Sequence, residues 1–118
     1  MDDRLTQVDL TLTALRKALA DVDWQIGELE KQSYTQATEH WKEGKYLYLV
    51  HPMQNGSRVR EYIGADPAKV EWARQRVKRF QIHEDLLARK RLLAQHSRRL
   101  EQAIGDVGRE AATVAQLL

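Results

Sequence analysis

The 118-residue chain has no cysteine, only two prolines and six glycines, and aromatic residues make up just 7% of it. Without cysteine there is no disulfide framework and no thiolate zinc site, a composition suited to the reducing cytoplasm. Scarce proline and glycine exclude collagen-like and disordered low-complexity states. No apolar run approaches the roughly 18 residues of a membrane span, and the first nine residues lack the apolar core of a secretory leader. A cytoplasmic, mainly helical protein without a membrane partner is expected. Its length allows one domain.

What is present is dominated by heptads. Leu5, Val8, Leu12, Leu15, Leu19, Val22, Ile26 and Leu29 follow alternating steps of three and four residues, which puts eight aliphatics on one seam of a helix. Asp2 and Asp3 suit the positive end of its dipole. This periodicity predicts a helix over about 3–36, fraying or continuing through Ser33–Glu43, with Gly44 as the stop. A second helix is predicted over about 67–117, with Asp66 as N-cap and Pro67 at the first position. Its seam runs through Val70, Ala73, Val77 and Phe80, then Leu86, Leu93, Leu100, Val107 and Val114. His83, Lys90 and Ser97 fall at inward positions where the phase slips, and Gly105 and Gly108 are expected to weaken the end.

The period changes to two at about 45–64. Tyr46-Leu-Tyr-Leu-Val50 and Arg58-Val-Arg-Glu-Tyr-Ile-Gly64 flank Asn55-Gly56, the dipeptide that a type I′ turn prefers. That turn sets a register with Val50 opposite Glu61 and Tyr48 opposite Ile63. The expected fold is mainly α: two long helices in an antiparallel coiled coil, joined by a β-hairpin at its tip, in a single elongated domain over 1–118. The unmatched length of the second helix, and the semi-apolar faces of the ribbon, point to a homo-oligomer assembling through Tyr46, Tyr48, Val50 and Ile63.

Catalytic and metal sites find no support in the spacing. The four histidines have no i, i+4 pairing or carboxylate at a ligand spacing, and no hydroxyl–His–carboxylate set or phosphate-cradling loop stands out. His83-Glu84-Asp85 reads as a solvated helix edge. No enzyme activity and no cofactor are expected.

Charge is more informative. Residues 1–57 hold six basic and nine acidic side chains, a net of −3, whereas residues 58–118 hold thirteen and eight, a net of +5. Between Arg58 and Arg99 the local excess reaches +7. Arginine suits bidentate contact with phosphate, and a two-stranded ribbon can enter the major groove of DNA. Lys45, Arg58, Arg60, Arg74, Arg76, Lys78 and Arg79 are therefore the candidate DNA or RNA contacts, with Trp41, Tyr46, Tyr48, Tyr62 and Trp72 as nearby aromatics. A second reading pairs Arg74–Arg79 with Asp21, Asp23, Glu28 and Glu30 of the first helix, so that charge encodes register. The two are compatible.

Two resemblances attach to these residues. The Tyr46-Leu-Tyr-Leu run, the Asn55-Gly56 turn, Arg58–Gly64, then Pro67, Val70 and Ala73 resemble a hairpin-plus-helix module of small uncharacterised proteins from bacterial plasmids, phages and transposons. The likeness covers about residues 44–80 and implies a mobile-element accessory role near DNA. Similar proteins often carry cysteines ahead of the hairpin, which this chain lacks. In architecture alone, the order helix, hairpin, helix is similar to a β-type prefoldin subunit, implying instead a scaffold or holdase that contacts another protein.

Overall fold

The computed structural model describes residues 3–118. It contains α1 (Asp3–Glu30), β1 (Thr38–Lys42), β2 (Tyr46–Val50), β3 (Arg60–Gly64) and α2 (Pro67–Leu117). The fold is mainly α, with two helices joined by an antiparallel sheet. That sheet has three strands in the order β1-β2-β3, one more than the expected hairpin. The chain groups into two compact units, residues 26–85 and residues 1–25 with 86–118. No helix among the described residues is long and apolar enough to cross a membrane.

In the unit formed by 1–25 and 86–118, the helices run antiparallel. Arg16 meets Glu101 at 3.2 Å and Asp23 meets Lys90 at 2.7 Å. Leu12, Val22 and Ser97 are buried between them. Lys90 reaches outward to its aspartate, so only Ser97 of this unit's two polar seam positions is enclosed. Gly105 and Gly108 do not interrupt α2. Beyond Leu100 the seam residues Ile104, Val107 and Val114 stay exposed. Asp2, expected near the α1 dipole, lies outside the described residues.

In the unit formed by 26–85, α1 stops six residues short of the expected end. Past Glu30 the backbone finds partners on α2: the Thr35 N–H donates to the Arg76 carbonyl at 3.2 Å, and Arg79 donates to the Ser33 carbonyl at 3.1 Å. Tyr34 stacks on His83 with centroids 5.0 Å apart. His83 is buried, and its Nε2 lies 3.0 Å from Glu30. It therefore faces inward, as the heptad phase suggests, and not onto a solvated edge.

Residues 38–42 are a strand rather than a fading helix. Glu43 and Gly44 have φ of 58° and 63°, and the Lys45 N–H donates to the Lys42 carbonyl at 3.1 Å. Glu43, Gly44 and Lys45 make a tight three-residue connection that folds β1 onto β2, with Lys42 opposite Tyr46. Gly44 thus serves a turn and not a helix terminus. The Asn55-Gly56 turn forms as expected, with φ of 51° and 81° and Gln54 bridged to Ser57.

The strands beyond that turn pair one residue out of the expected register. Val50 is opposite Arg60, Leu49 opposite Glu61 and Tyr48 opposite Tyr62. The slip is taken up between the His51–Val59 bond and the Gln54–Ser57 bridge, where Pro52-Met53 stands against Arg58 alone. Proline has a fixed φ and no N–H, so an interrupted ladder suits it. A second irregularity between Leu47 and Tyr48 leaves Ile63 as the extra residue on β3.

One sheet face packs on α2. Leu47 and Leu49 are fully buried with Ala73, and Ala37, Ile63, Val70 and Val77 close around them. Asp66 caps α2 through its side chain, which accepts from the Ala68 N–H at 3.0 Å. Truncating Leu49 to alanine should cost about 2–5 kcal/mol, whereas the exposed Leu10→Ala should change stability by no more than about 0.5 kcal/mol. Equilibrium urea unfolding of both variants checks the contrast.

Candidate nucleic-acid interface

The sheet register sorts the predicted contacts into two sets. On the covered face, Glu39 and Glu61 flank the buried leucines and each captures an arginine of α2. Arg74 grips Glu39 with Nε at 2.8 Å and NH2 at 3.3 Å, and its guanidinium lies 5.8 Å from the Trp41 ring. The hydrogen bond from Arg74 holds the Glu39 carboxyl below its ordinary range, against the opposing effect of burial. Arg76 is more deeply held, with its side chain 13% exposed, 3.0 Å from Glu61 and 4.7 Å from the centre of the Trp72 ring.

Glu61 also accepts from His51 at 2.9 Å, and His51 Nδ1 lies 3.3 Å from the Thr35 hydroxyl. Folding thus assembles a hydroxyl–imidazole–carboxylate chain that the sequence did not disclose, because its members come from three separate segments. The second Glu61 oxygen is occupied by Arg76. The chain ties the segment after α1 to the sheet and the sheet to α2. Burial raises the Glu61 pKa, but hydrogen bonds from Arg76 and His51 outweigh it and the net shift is downward.

Of the seven candidate basic contacts, Arg74, Arg76 and Arg79 are therefore engaged within the fold. Arg79 bonds the Ser33 carbonyl and Gln75. Their partners are not the expected acids of the first helix. Asp23 pairs with Lys90, Glu28 with Lys31 and Glu30 with His83. Because α1 ends at Glu30, opposite His83, the turns that carry Arg74–Arg79 lie beyond its reach and beside the sheet.

Lys45, Arg58, Arg60 and Lys78 have no carboxylate partner among the described residues. Lys45 sits 5.5 Å from the centre of its neighbouring Tyr46 ring. Arg58 and Arg60 line an open cleft of about 720 Å³, with Val77 and Phe80 on its wall. Lys42 and His40 join this group from β1, opposite Tyr46 and Tyr48. They escaped notice because β1 was not expected. The alternation in Thr38–Lys42 and the Glu43-Gly44 pair were the available signal.

The four proposed oligomerisation residues do not share a face. Tyr46, Tyr48 and Val50 lie on the outer face, joined by Arg60 and Tyr62, whereas Ile63 packs into the core. Tyr62 is 59% exposed, and its ring centre is 5.1 Å from that of Tyr48. No group of three or more histidine, aspartate or glutamate side chains suited to a metal ion occurs among the described residues. No protein-family model, curated protein or solved structure matches the chain.

The depressed carboxyls fix the sign of a pH effect. Their contribution is fully present above the ordinary glutamate value of about 4.5 and is lost as pH falls through the lower folded values. Thermal unfolding should therefore move to lower temperature as pH drops below about 4.5. Glu61→Gln should cost about 1–3 kcal/mol at pH 7 by leaving Arg76 without its anion, and should flatten that acid dependence. Melting curves of both proteins across this range check it.

Proposed function

We propose that this is a non-enzymatic, self-associating nucleic-acid-binding protein that contacts phosphates through the basic β-hairpin. The observation that carries the reading is the division of the arginines. Sheet carboxylates pair with Arg74 and Arg76, while Arg58, Arg60 and Lys45 of the hairpin keep no counter-ion among the described residues. Unpaired guanidinium and ammonium groups on one module provide the electrostatic footprint of a polyanion site. Lys78 adds a further exposed cation on α2. The resemblance of the hairpin to mobile-element proteins is in keeping with an accessory role near DNA, in a bacterial cytoplasm.

A scaffold role without nucleic acid is the second reading. It is favoured by Ile104, Val107 and Val114, which continue the apolar seam of α2 while remaining exposed. A second copy laid along this stretch would bury them, in the way that heptad seams associate. Light scattering should then report a dimer or larger species, and Val107→Glu with Val114→Glu should shift it to monomer.

The nucleic-acid reading is tested by fluorescence anisotropy with labelled DNA and RNA. Affinity below about 10 µM at about 50 mM salt is expected, weakening steeply as salt rises. Arg58→Ala with Arg60→Ala should lower the salt slope by about 1.4–1.8, from roughly 0.7–0.9 per phosphate contact. Arg74→Gln should instead lower stability and leave that slope unchanged. Absence of binding to any of these oligonucleotides would sink the reading.

A further inference from the structure

The outer face of the sheet carries three tyrosines that the core does not use. Tyr46 and Tyr48 alternate on β2, and the register places Tyr62 of β3 beside Tyr48. The rings of Tyr48 and Tyr62 make a tilted pair at 56°. Tyr62 lies over Gly64, whose φ is 102°. A Cβ there would stand 3.4 Å from the Tyr62 hydroxyl oxygen, so the ring covers the glycine along the strand, and the positive φ is what favours glycine at this position. Lys42 and Glu43 line the shallow Tyr46–Tyr48–Tyr62 depression, His40 is opposite Tyr48, Lys45 lies over the Tyr46 ring, and Arg60 stands opposite Val50 further along the same face.

We propose that this face is a stacking platform for single-stranded nucleic acid, an inference that rests on the nucleic-acid role above. Same-face residues on a strand repeat every two residues, or about 6.6–6.8 Å. That is roughly twice the 3.4 Å rise of one strand in a duplex, so the rings match an extended strand with its bases splayed, not a stacked helix. The third strand adds a second constraint. A major groove admits a two-stranded ribbon, and three strands at about 4.8 Å spacing present a broader, flatter face. Aromatic faces take any base, and the flanking cations follow the phosphates, so the platform is tolerant of sequence. Duplex bases keep their π-faces against one another and offer none to the tyrosines.

The test is anisotropy on the full chain with three labelled 12-mers: oligothymidine, the matching duplex, and an abasic deoxyribose-phosphate strand that keeps the charge and lacks the bases. Oligothymidine should bind at least about tenfold tighter than either of the others. Tyr62→Leu keeps an apolar cover over Gly64 and should weaken oligothymidine binding by about 5- to 150-fold, whereas Tyr62→Phe should restore it. Circular dichroism melting of each variant separates lost contact from lost fold. Equal binding to the abasic strand or tighter binding to the duplex overturns the platform and leaves the phosphate-binding role intact. Failure to bind any of the three overturns both. A dimer in light scattering that Tyr62→Leu converts to monomer also overturns it, because the tyrosines then face a second copy.

Discussion

The burial of Leu47 and Leu49 against Ala73 decides most of the structure of residues 26–85. Once these two side chains lie under α2, every other residue of the sheet is assigned to a covered or an open face by parity. Glu39 and Glu61 share the leucines' face and are delivered to the arginines of α2. The tyrosines, one residue out of step, have no choice but solvent. The arrangement is therefore not a sum of local preferences. One apolar contact sets the phase, and the polar contacts inherit it.

Electrostatics then complete the assignment. A carboxylate half-buried beside a sheet is costly unless it gains an opposite charge or hydrogen bonds. Glu39 obtains a forked arginine, and Glu61 obtains an arginine and a histidine. Each exposed pair adds little by itself, but the Glu61 group is partly buried and links three segments, so its members are coupled. The same pairs remove Arg74 and Arg76 from the pool of cations available to a partner. A count of charge along the chain does not register this, because it treats a satisfied arginine and a free one alike.

Much of this architecture was legible in the residues. The α1 seam, the Asp66-Pro67 start of α2, the Asn55-Gly56 turn and the antiparallel pairing of the helices all rest on local signals that tertiary packing reinforces. What escaped reading depended on distant partners. The stretch 31–37 leaves the helix because its backbone bonds lie on α2, forty or more residues away, and nothing local announces that. The β1 strand was hidden by the expectation that Gly44 ended a helix, although Glu43-Gly44 could equally close a hairpin. At the candidate site, Arg58, Arg60 and Lys45 were identified by charge alone, whereas Lys42 and His40 required the missing strand.

The smallest of these differences has the largest chemical effect. A slip of one residue at Pro52-Met53 transfers Arg60 and Tyr62 to the tyrosine face and sends Glu61 to the other. In the register set by the turn alone, Tyr46 and Tyr48 would share their face with a glutamate and an isoleucine, a mixture suited to packing. In the register that forms, they share it with an arginine and a third tyrosine. The slip also separates charges of opposite sign: the acid goes inward, where Arg76 pairs with it, and the base goes outward, where no carboxylate among the described residues does. The open face therefore carries Arg60 with Glu61 turned to the far side of the sheet, which leaves Glu43 as the acid at the edge of the tyrosine depression. The proline that interrupts the ladder thus lies where the composition of the tyrosine face is decided.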